Sequence, residues 1–233
     1  MKIVFLLFDR ITALDVVGPY EVLARLPGAR VVFAAPQAGE IRTDNRMLGL
    51  IADVGIADVR ECDILVVPGG FGTRILERDE DLLGWLRAID RTTQITASVC
   101  TGSILLAAAG LLENRRANTH WAHRHRLSEH GAIPTPERVV RDGKYATAAG
   151  VSAGIDLALS LAMELVSPEV AAAIQLTIEY DPHPPLDCGD AARVPAALRE
   201  TIVARAKARE VELAAADIRA EPSADRATAL RSP

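Results

Sequence analysis

Residues Gln94–Trp121 read QITASVCTGSILLAAAGLLENRRANTHW, and this stretch decides the fold. Its first residues are mostly apolar and β-branched, which predicts a strand that ends at Val99. The alanine- and leucine-rich run 102–110 predicts a buried helix that ends at a glycine. Since only Cys100 and Thr101 separate the two elements, the sequence places a thiol on a sharp strand-to-helix turn.

A turn of this kind exposes its side chain above the sheet and leaves unpaired backbone N–H groups pointing the same way, as in the nucleophile elbow of serine hydrolases. A helix N-terminus also favours negative charge, so it is expected to lower the pKa of Cys100 and favour the thiolate. The alternative is that Cys100 is a small buried apolar residue without chemistry. The position on the turn favours a reactive thiol.

Strands and helices alternate on both sides of this turn, which predicts an α/β sandwich with a mostly parallel sheet. Residues 1–221 are interpreted as one domain that includes a charged helix at about 195–218, and the polar residues 222–233 are expected to be disordered. The predicted strands are Lys2–Phe8, Arg30–Ala35, Asp63–Val67, 94–99 and a pair within Arg138–Ala149, with a short hairpin or an edge excursion within Gly39–Ile56. The predicted helices cover 18–26, the segment with Leu82, Leu83, Leu86 and Ile89, 102–110, 152–166 and 169–180.

Composition excludes several classes of function. The net charge of −5 and the scattered basic residues argue against a nucleic-acid partner. Asp9 and Arg10 interrupt the apolar start of the chain before a signal peptide or membrane span could form, so we expect the cytoplasm. Three widely spaced cysteines, Cys62, Cys100 and Cys188, argue for reduced thiols rather than a disulfide framework.

Sites in parallel α/β folds lie at the carboxyl ends of the strands, where three segments should converge: 9–18, 68–72 and the Cys100 turn. Asp15 is a candidate general acid and base, with a helix-capping or surface aspartate as the even alternative. Beside a thiolate, its carboxyl is expected to be protonated, because two adjacent anions raise each other's proton affinity. Glu21 is the competing carboxylate and is expected to face solvent or to be structural.

The glycines around residue 70 do not match a phosphate-binding pattern. We expect the amides of Gly70 and Thr101 to form an anion hole, and the Thr101 hydroxyl either to bind an intermediate or to cap the helix. His120, His123, His125 and His130 do not have metal-ligand spacing, so no metal site is expected. The candidates for lining a substrate pocket are Gly18, Phe71, His120 and Trp121.

Several motifs together resemble the DJ-1/PfpI superfamily: residues 97–121 of the opening stretch, LDVVGPYEVL at 14–23, VVPGGFGT at 66–73 and YATAAGVSAGIDLALSLAMEL at 145–165. Asp15, Thr101 and IEYDPHPPLDCGD at 178–190 resemble its isocyanide hydratase group most. The resemblance implies a homodimer of flavodoxin-like three-layer sandwiches with the cysteine at the elbow and no metal or cofactor. It also implies hydration of an isocyanide to an N-substituted formamide, with attack by Cys100, a thioimidate intermediate and Asp15 as acid and then base.

Departures from other branches of the superfamily leave alternatives open. Protease-like members carry a histidine directly after the cysteine, so Thr101 puts peptidase activity in doubt. Glyoxalase-like members present a glutamate where this chain offers Asp15, which disfavours a small aldehyde substrate without excluding it. A ligand-sensing or redox-sensing domain related to AraC-type regulators is the third reading, although a single helix after Pro195 does not make a helix-turn-helix pair.

Overall fold

The computed structural model describes the backbone of residues 1–220 and the side chains of residues 1–213. The chain separates into one compact unit, Met1–Pro182, and a second that begins at His183. The single domain of residues 1–221 stays a prediction, and the predicted disordered tail, 222–233, lies outside the described residues. The described strands are β1 Lys2–Leu6, β2 Arg30–Ala35, β3 Gly39–Arg42, β4 Gly49–Ala52, β5 Val54–Gly55, β6 Ile64–Val67, β7 Ile95–Val99, β8 Arg116–Ala117, β9 Ile133–Pro134, β10 Val139–Asp142 and β11 Tyr145–Ala148.

A seven-stranded sheet in the order β10-β11-β7-β6-β1-β2-β5 forms the centre of the first unit. Its neighbouring strands run parallel except for β10 and β11, an antiparallel pair joined through Gly143 and Lys144. Helices cover both faces of the sheet, so every residue of the central strands β6 and β7 is buried, including the polar Thr96 and Ser98. The predicted α/β sandwich with a mostly parallel sheet is confirmed.

Helices form a layer on each side of this sheet. The described helices are α1 Ala13–Leu23, α2 Thr73–Leu76, α3 Glu80–Asp90, α4 Gly102–Ala108, α5 Arg124–Glu129, α6 Ala153–Leu165, α7 Pro168–Thr177 and α8 Ala196–Ala220, with 3-10 turns at Ile56–Asp58, Trp121–His123 and Ala191–Arg193. In one layer α6 packs between α1 and α7, and in the other α4 contacts α2, α3 and α5.

Local chemistry explains where individual helices begin. The Asp79 side chain accepts hydrogen bonds from the backbone N–H groups of Asp81 and Leu82, which caps α3. Ser167 caps α7 in the same way through the N–H of Val170, and Pro168 follows at the first helical position. Both caps bind amide groups that the helix itself leaves unpaired.

Helix α1 differs from its predicted position. It begins at Ala13, five residues before the predicted start at Gly18, and Pro19 lies inside it. Proline lacks the N–H that would bind the carbonyl of Asp15, four residues earlier, and the helix continues without that bond. Asp15 is therefore in the first turn of a helix rather than in a loop.

The predicted hairpin is present as β3 and β4, which pair with each other and not with the central sheet. The chain after β4 adds the short edge strand β5 beside β2. The hairpin loop returns to the end of β1, where the N–H of Asp44 donates to the carbonyl oxygen of Ile11 at 3.0 Å.

The second unit begins with an irregular, proline-rich segment that continues to Asp190, as predicted. Helix α8 follows, and the Arg199 guanidinium donates to the carbonyl oxygens of Ala191 and Val194 near its start. In the part of the chain that the structure describes, no helix is long and apolar enough to cross a membrane.

Candidate active site

Cys100 occupies a strained backbone position between β7 and α4, with a φ of 56°. Residues other than glycine rarely adopt this left-handed conformation. Hydrogen bonds hold it: the Cys100 N–H donates to Ala149 O at 2.9 Å, and the Thr119 hydroxyl donates to Cys100 O at 2.8 Å. The predicted elbow is confirmed as geometry, and strain of this kind is concentrated at functional sites.

The elbow depends on a glycine two residues later. A Cβ at Gly102 would lie 2.0 Å from the carbonyl oxygen of Val67, at the end of β6. Only a residue without a side chain lets the start of α4 approach the sheet this closely. The glycine therefore helps to bring Cys100 over the carboxyl end of its own strand.

Asp15 is completely buried, at 0% exposure, beside the cysteine. Its Oδ2 accepts a hydrogen bond of 2.8 Å from the Gly69 N–H, so the alternative of a surface capping aspartate is wrong. Its Oδ1 is buried and accepts no hydrogen bond of ordinary geometry from the described residues. The Cys100 thiol lies next to the carboxyl and donates toward it, which lowers the pKa of Asp15.

The thiol and the carboxyl oppose each other's ionisation. Burial raises the pKa of Asp15 from its ordinary value of 3.8 to about 7, against the lowering effects of the Gly69 N–H and the Cys100 thiol. Burial, and then the charge of Asp15, raise the pKa of the Cys100 thiol above its usual range. The helix terminus predicted a lowered thiol pKa, and that direction is wrong because desolvation and the charge of Asp15 outweigh the hydrogen bonds from the nearby N–H groups. The pair holds at least one proton near neutral pH.

Backbone amides around the sulfur are arranged differently from the expectation. The Gly70 N–H donates to the Thr101 hydroxyl oxygen at 3.0 Å rather than pointing freely toward the thiol. The N–H groups of Val151 and Thr101, together with the Thr101 hydroxyl, bind the sulfur and lower its pKa. A substrate would have to share the Gly70 amide with Thr101, so the anion hole of Gly70 and Thr101 stays a prediction.

Val151 is the residue that the sequence analysis missed. It follows β11, the strand beside β7, and its backbone is also in the left-handed region with a φ of 29°. A β-branched residue in this conformation is rare. The signal was the order of strands, because the end of β11 must meet the end of β7 at the same edge of the sheet.

The four candidates for lining a substrate pocket lie on different elements of the fold. Gly18 packs on α6, where a Cβ would lie 3.1 Å from the Ile155 side chain, and Phe71 follows the Gly70 loop with partial exposure. The His120 ring lies against Gly150, next to Val151, and its centroid is 5.5 Å from that of Trp121.

Histidines near the elbow are held neutral. Burial lowers the pKa of His120, and Arg124 lowers it further. Burial and the neighbouring Arg74 guanidinium lower the pKa of His123 to about 3, and an Arg74 Nη atom lies 2.9 Å from its Nδ1. Among the described residues no group of three histidine, cysteine or acidic side chains is placed to hold a metal ion.

The remaining candidate groups lie apart from the pair. Glu21 is on the solvent side of α1 and forms an ion pair of 2.6 Å with Arg25, as expected. Cys62 is buried in the core, where burial raises the pKa of its thiol to about 12, and Cys188 is exposed. Cys100 is thus the cysteine that lies at the elbow beside Asp15.

The fold and this site define a class: α/β proteins with a parallel sheet, a cysteine at a strained strand-to-helix elbow and a carboxyl beside it. Comparison with known proteins agrees, since the profile of the DJ-1/PfpI family matches residues 1–164. The chain belongs to the DJ-1/PfpI family.

Individual relatives are similar over most of the chain. An isonitrile hydratase from Pseudomonas putida is 42% identical over 198 residues, 85% of this chain and 86% of that protein. A crystal structure of a ThiJ/PfpI family protein from Pseudomonas syringae superposes with a TM-score of 0.86 at 34% identity, covering 90% of this chain and 87% of that one. The HTH-type transcriptional regulator CdhR from Pseudomonas aeruginosa is 33% identical over 140 residues, 58% of this chain and 40% of the regulator.

Proposed function

We propose that this protein is an isocyanide hydratase, which adds water to an isocyanide to give an N-substituted formamide. The observation that carries the proposal is the placement of the buried Asp15 carboxyl, held at 2.8 Å by the Gly69 N–H, beside the Cys100 thiol at the elbow. The similarity to an isonitrile hydratase, an enzyme of this reaction by its name, supports the same substrate class.

The first step uses the proton that the pair holds. When Asp15 is ionised, its carboxylate takes the proton from the Cys100 thiol as the sulfur attacks the terminal carbon of the isocyanide. The new C–S bond leaves an electron pair on that carbon, and Asp15 delivers the proton to it. The product is a thioimidate, R–N=CH–S–Cys100, in which the sulfur and the proton of the thiol are both bound to the former isocyanide carbon.

The second step needs a base, and Asp15 is again ionised after it has given up the proton. Its carboxylate accepts a proton from water as the oxygen attacks the thioimidate carbon, and Asp15 passes that proton to the nitrogen. The C–S bond then breaks, the formamide R–NH–CHO leaves, and the remaining proton of the water returns to the sulfur. One isocyanide and one water are consumed, and the pair regains its starting state.

The two carboxyl oxygens of Asp15 have different roles in this mechanism. Oδ2 is held at 2.8 Å by the Gly69 N–H, which fixes the orientation of the side chain. Oδ1, which has no other partner of ordinary geometry among the described residues, is the oxygen that moves the proton. The Val151 and Thr101 amides bind the sulfur and stabilise it when it leaves as a thiolate.

We further propose that the enzyme acts on a small molecule as a homodimer in the cytoplasm, without a metal or organic cofactor. The family resemblance supports this assembly. Light scattering coupled to size exclusion tests it, with a single species at twice the protomer mass expected and a monomer as the contrary result.

The experiment measures formamide production from an aryl and an alkyl isocyanide by chromatography. Wild type should turn over both, while Cys100→Ala and Asp15→Asn should lose nearly all activity. Cys188→Ala removes the exposed thiol and Glu21→Gln removes an exposed carboxylate from the same helix as Asp15, and both should keep wild-type rates. Equal turnover by wild type and Cys100→Ala would refute the proposal, and lactate production from methylglyoxal without formamide production would favour the aldehyde alternative.

A further inference from the structure

Thr73 is a buried residue next to the elbow to which the mechanism gives no role. It is the first residue of α2 and is 1% exposed. Its hydroxyl oxygen lies 2.8 Å from the carbonyl oxygen of Gly70 and 3.2 Å from the Thr101 hydroxyl oxygen, so its single proton is shared unequally, with the shorter bond to Gly70 as the main one. Its side chain therefore joins the Gly70 loop to the residue that follows the cysteine.

The carbonyl oxygen of Gly70 is saturated by Thr73. A carbonyl oxygen has two lone pairs, and it accepts here from the Thr73 hydroxyl at 2.8 Å and from the Thr73 N–H at 3.2 Å. The Thr101 hydroxyl is a third donor at 3.4 Å, the longest of the three contacts. This third contact is the weakest because both lone pairs are already engaged.

The Thr101 hydroxyl has one proton to give. Its oxygen accepts from the Gly70 N–H at 3.0 Å, and the shared Thr73 proton makes a second, longer contact with it. Because Thr73 is on the donor side of that contact, the acceptors left for the Thr101 proton are the carbonyl oxygen of Gly70, which is already engaged, and the Cys100 sulfur. A hydrogen bond from the Thr101 side chain to the sulfur stabilises the thiolate over the thiol.

We propose that Thr73 is a positioning residue, which occupies the carbonyl oxygen of Gly70 and thereby directs the Thr101 hydroxyl proton onto the Cys100 sulfur. The inference deepens the proposed function, since it concerns how the nucleophile of that reaction is made available. It makes Thr73 act through Thr101 and without contact with a substrate.

Other groups also face the sulfur, whereas the hydrogen bonds of the Thr73 hydroxyl go to Gly70 and Thr101. Asp15 approaches it from α1, the Val151 N–H approaches it from the start of α6, and the neutral His120 ring packs on the residue before Val151. Asp44, from the hairpin loop, raises the pKa of Asp15 and so acts on the pair indirectly. A change at Thr73 therefore reports on the Thr101 hydrogen bond.

The test measures the rate of alkylation of Cys100 by iodoacetamide as a function of pH, in a Cys188→Ala background. Thr73→Val removes the hydroxyl and keeps the shape. Below the pKa of the thiol it should slow alkylation about tenfold, equivalent to a thiol pKa raised by about one unit. Thr73→Ser should restore the parent rate, and Thr101→Val should slow the reaction as much as Thr73→Val does.

Thr93 provides a matched control at the other end of β7. Its hydroxyl donates to the carbonyl oxygen three residues earlier, Asp90 O at 2.9 Å, and touches a second threonine hydroxyl, that of Thr96, at 2.7 Å. Thr93→Val loses the same kinds of contact far from the sulfur. Its alkylation rate and pH profile should match the parent.

The double variant separates the proposal from a structural role. Thr73→Val should add nothing in the Thr101→Val background, because the proton that it redirects is already gone. The proposal would be overturned if Thr73→Val slowed alkylation fully again in the Thr101→Val background. A parent-like alkylation rate for Thr73→Val, or an equal slowing by Thr93→Val, would overturn it as well. Melting curves identify a misfolded Thr73→Val, in which case Thr73→Ala carries the same comparison. Alkylation needs no isocyanide, so this result stands apart from the test of hydration.

Discussion

Replacing Asp15 with asparagine should stabilise the protein at pH 8 while it abolishes turnover. The wild-type carboxyl is completely buried, and its pKa is raised from 3.8 to about 7, chiefly by desolvation. In the unfolded chain the pKa returns to its ordinary value. Folding at pH 8 therefore places a carboxylate in an environment that disfavours its charge.

The sign and size follow from the difference between the two pKa values. Because the folded value is the higher one, the contribution of Asp15 to stability is fully present below pH 3.8 and is lost as the pH rises through about 7. The loss is about 2 kcal/mol at pH 5 and about 4 kcal/mol at pH 8. Asparagine carries no charge, and its oxygen can still accept from the Gly69 N–H.

Urea unfolding of wild type and Asp15→Asn at pH 5 and pH 8, with a reductant present, measures the difference directly. The variant should gain about 2–3 kcal/mol on wild type between the two pH values. Glu21→Gln is the control, since Glu21 lies on the same helix but forms an exposed ion pair with Arg25. A stability difference between Asp15→Asn and wild type that is the same at both pH values would refute the buried, proton-binding carboxyl.

Three further predictions concern the same elbow. Cys100→Gly should be about 1 kcal/mol more stable than Cys100→Ala, because only glycine adopts the φ of 56° without strain; equal melting temperatures would contradict this. Gly102→Ala should lower the free energy of unfolding by at least about 3 kcal/mol, because its Cβ would meet Val67 O at 2.0 Å. Gly84→Ala in α3, where the closest neighbour of the added Cβ is at 3.8 Å, should instead raise it by about 0.5–1 kcal/mol, and denaturant unfolding compares the two. The kcat/KM of the wild type for an isocyanide should rise with pH through about 7 as Asp15 ionises, and a flat profile from pH 5 to 8.5 would contradict Asp15 as the base.

Much of the fold could be predicted because its signals are local. The continuous apolar runs that became β1 and β6 have the composition of strands buried on both faces, and β7 leads into the elbow at the expected residue. The start of α1 was predicted too late, because Gly18 and Pro19 are typical of the beginning of a helix, whereas here they lie inside it. Asp15 lies beside the Gly69 N–H at this edge of the sheet, where it was expected, although its helix begins earlier than expected.

The details of the site required three-dimensional information. The Gly70 amide was expected to face the reaction centre, but the chain brings the Thr101 hydroxyl within 3.0 Å of it. The Val151 N–H lies near the sulfur because β11 pairs with β7, and no local motif at Val151 predicts this contact. The direction of the thiol pKa depends on burial, which a helix-terminus argument leaves out.

Rapid acid quench during turnover of an isocyanide, followed by peptide mass mapping, tests whether Cys100 forms the covalent intermediate. The peptide containing Cys100 should gain the full mass of the isocyanide, as a thioimidate, and the gain should disappear when the substrate is exhausted. Formamide formation with no adduct at Cys100 at any quench time, or an equal adduct on the exposed Cys188, would contradict it.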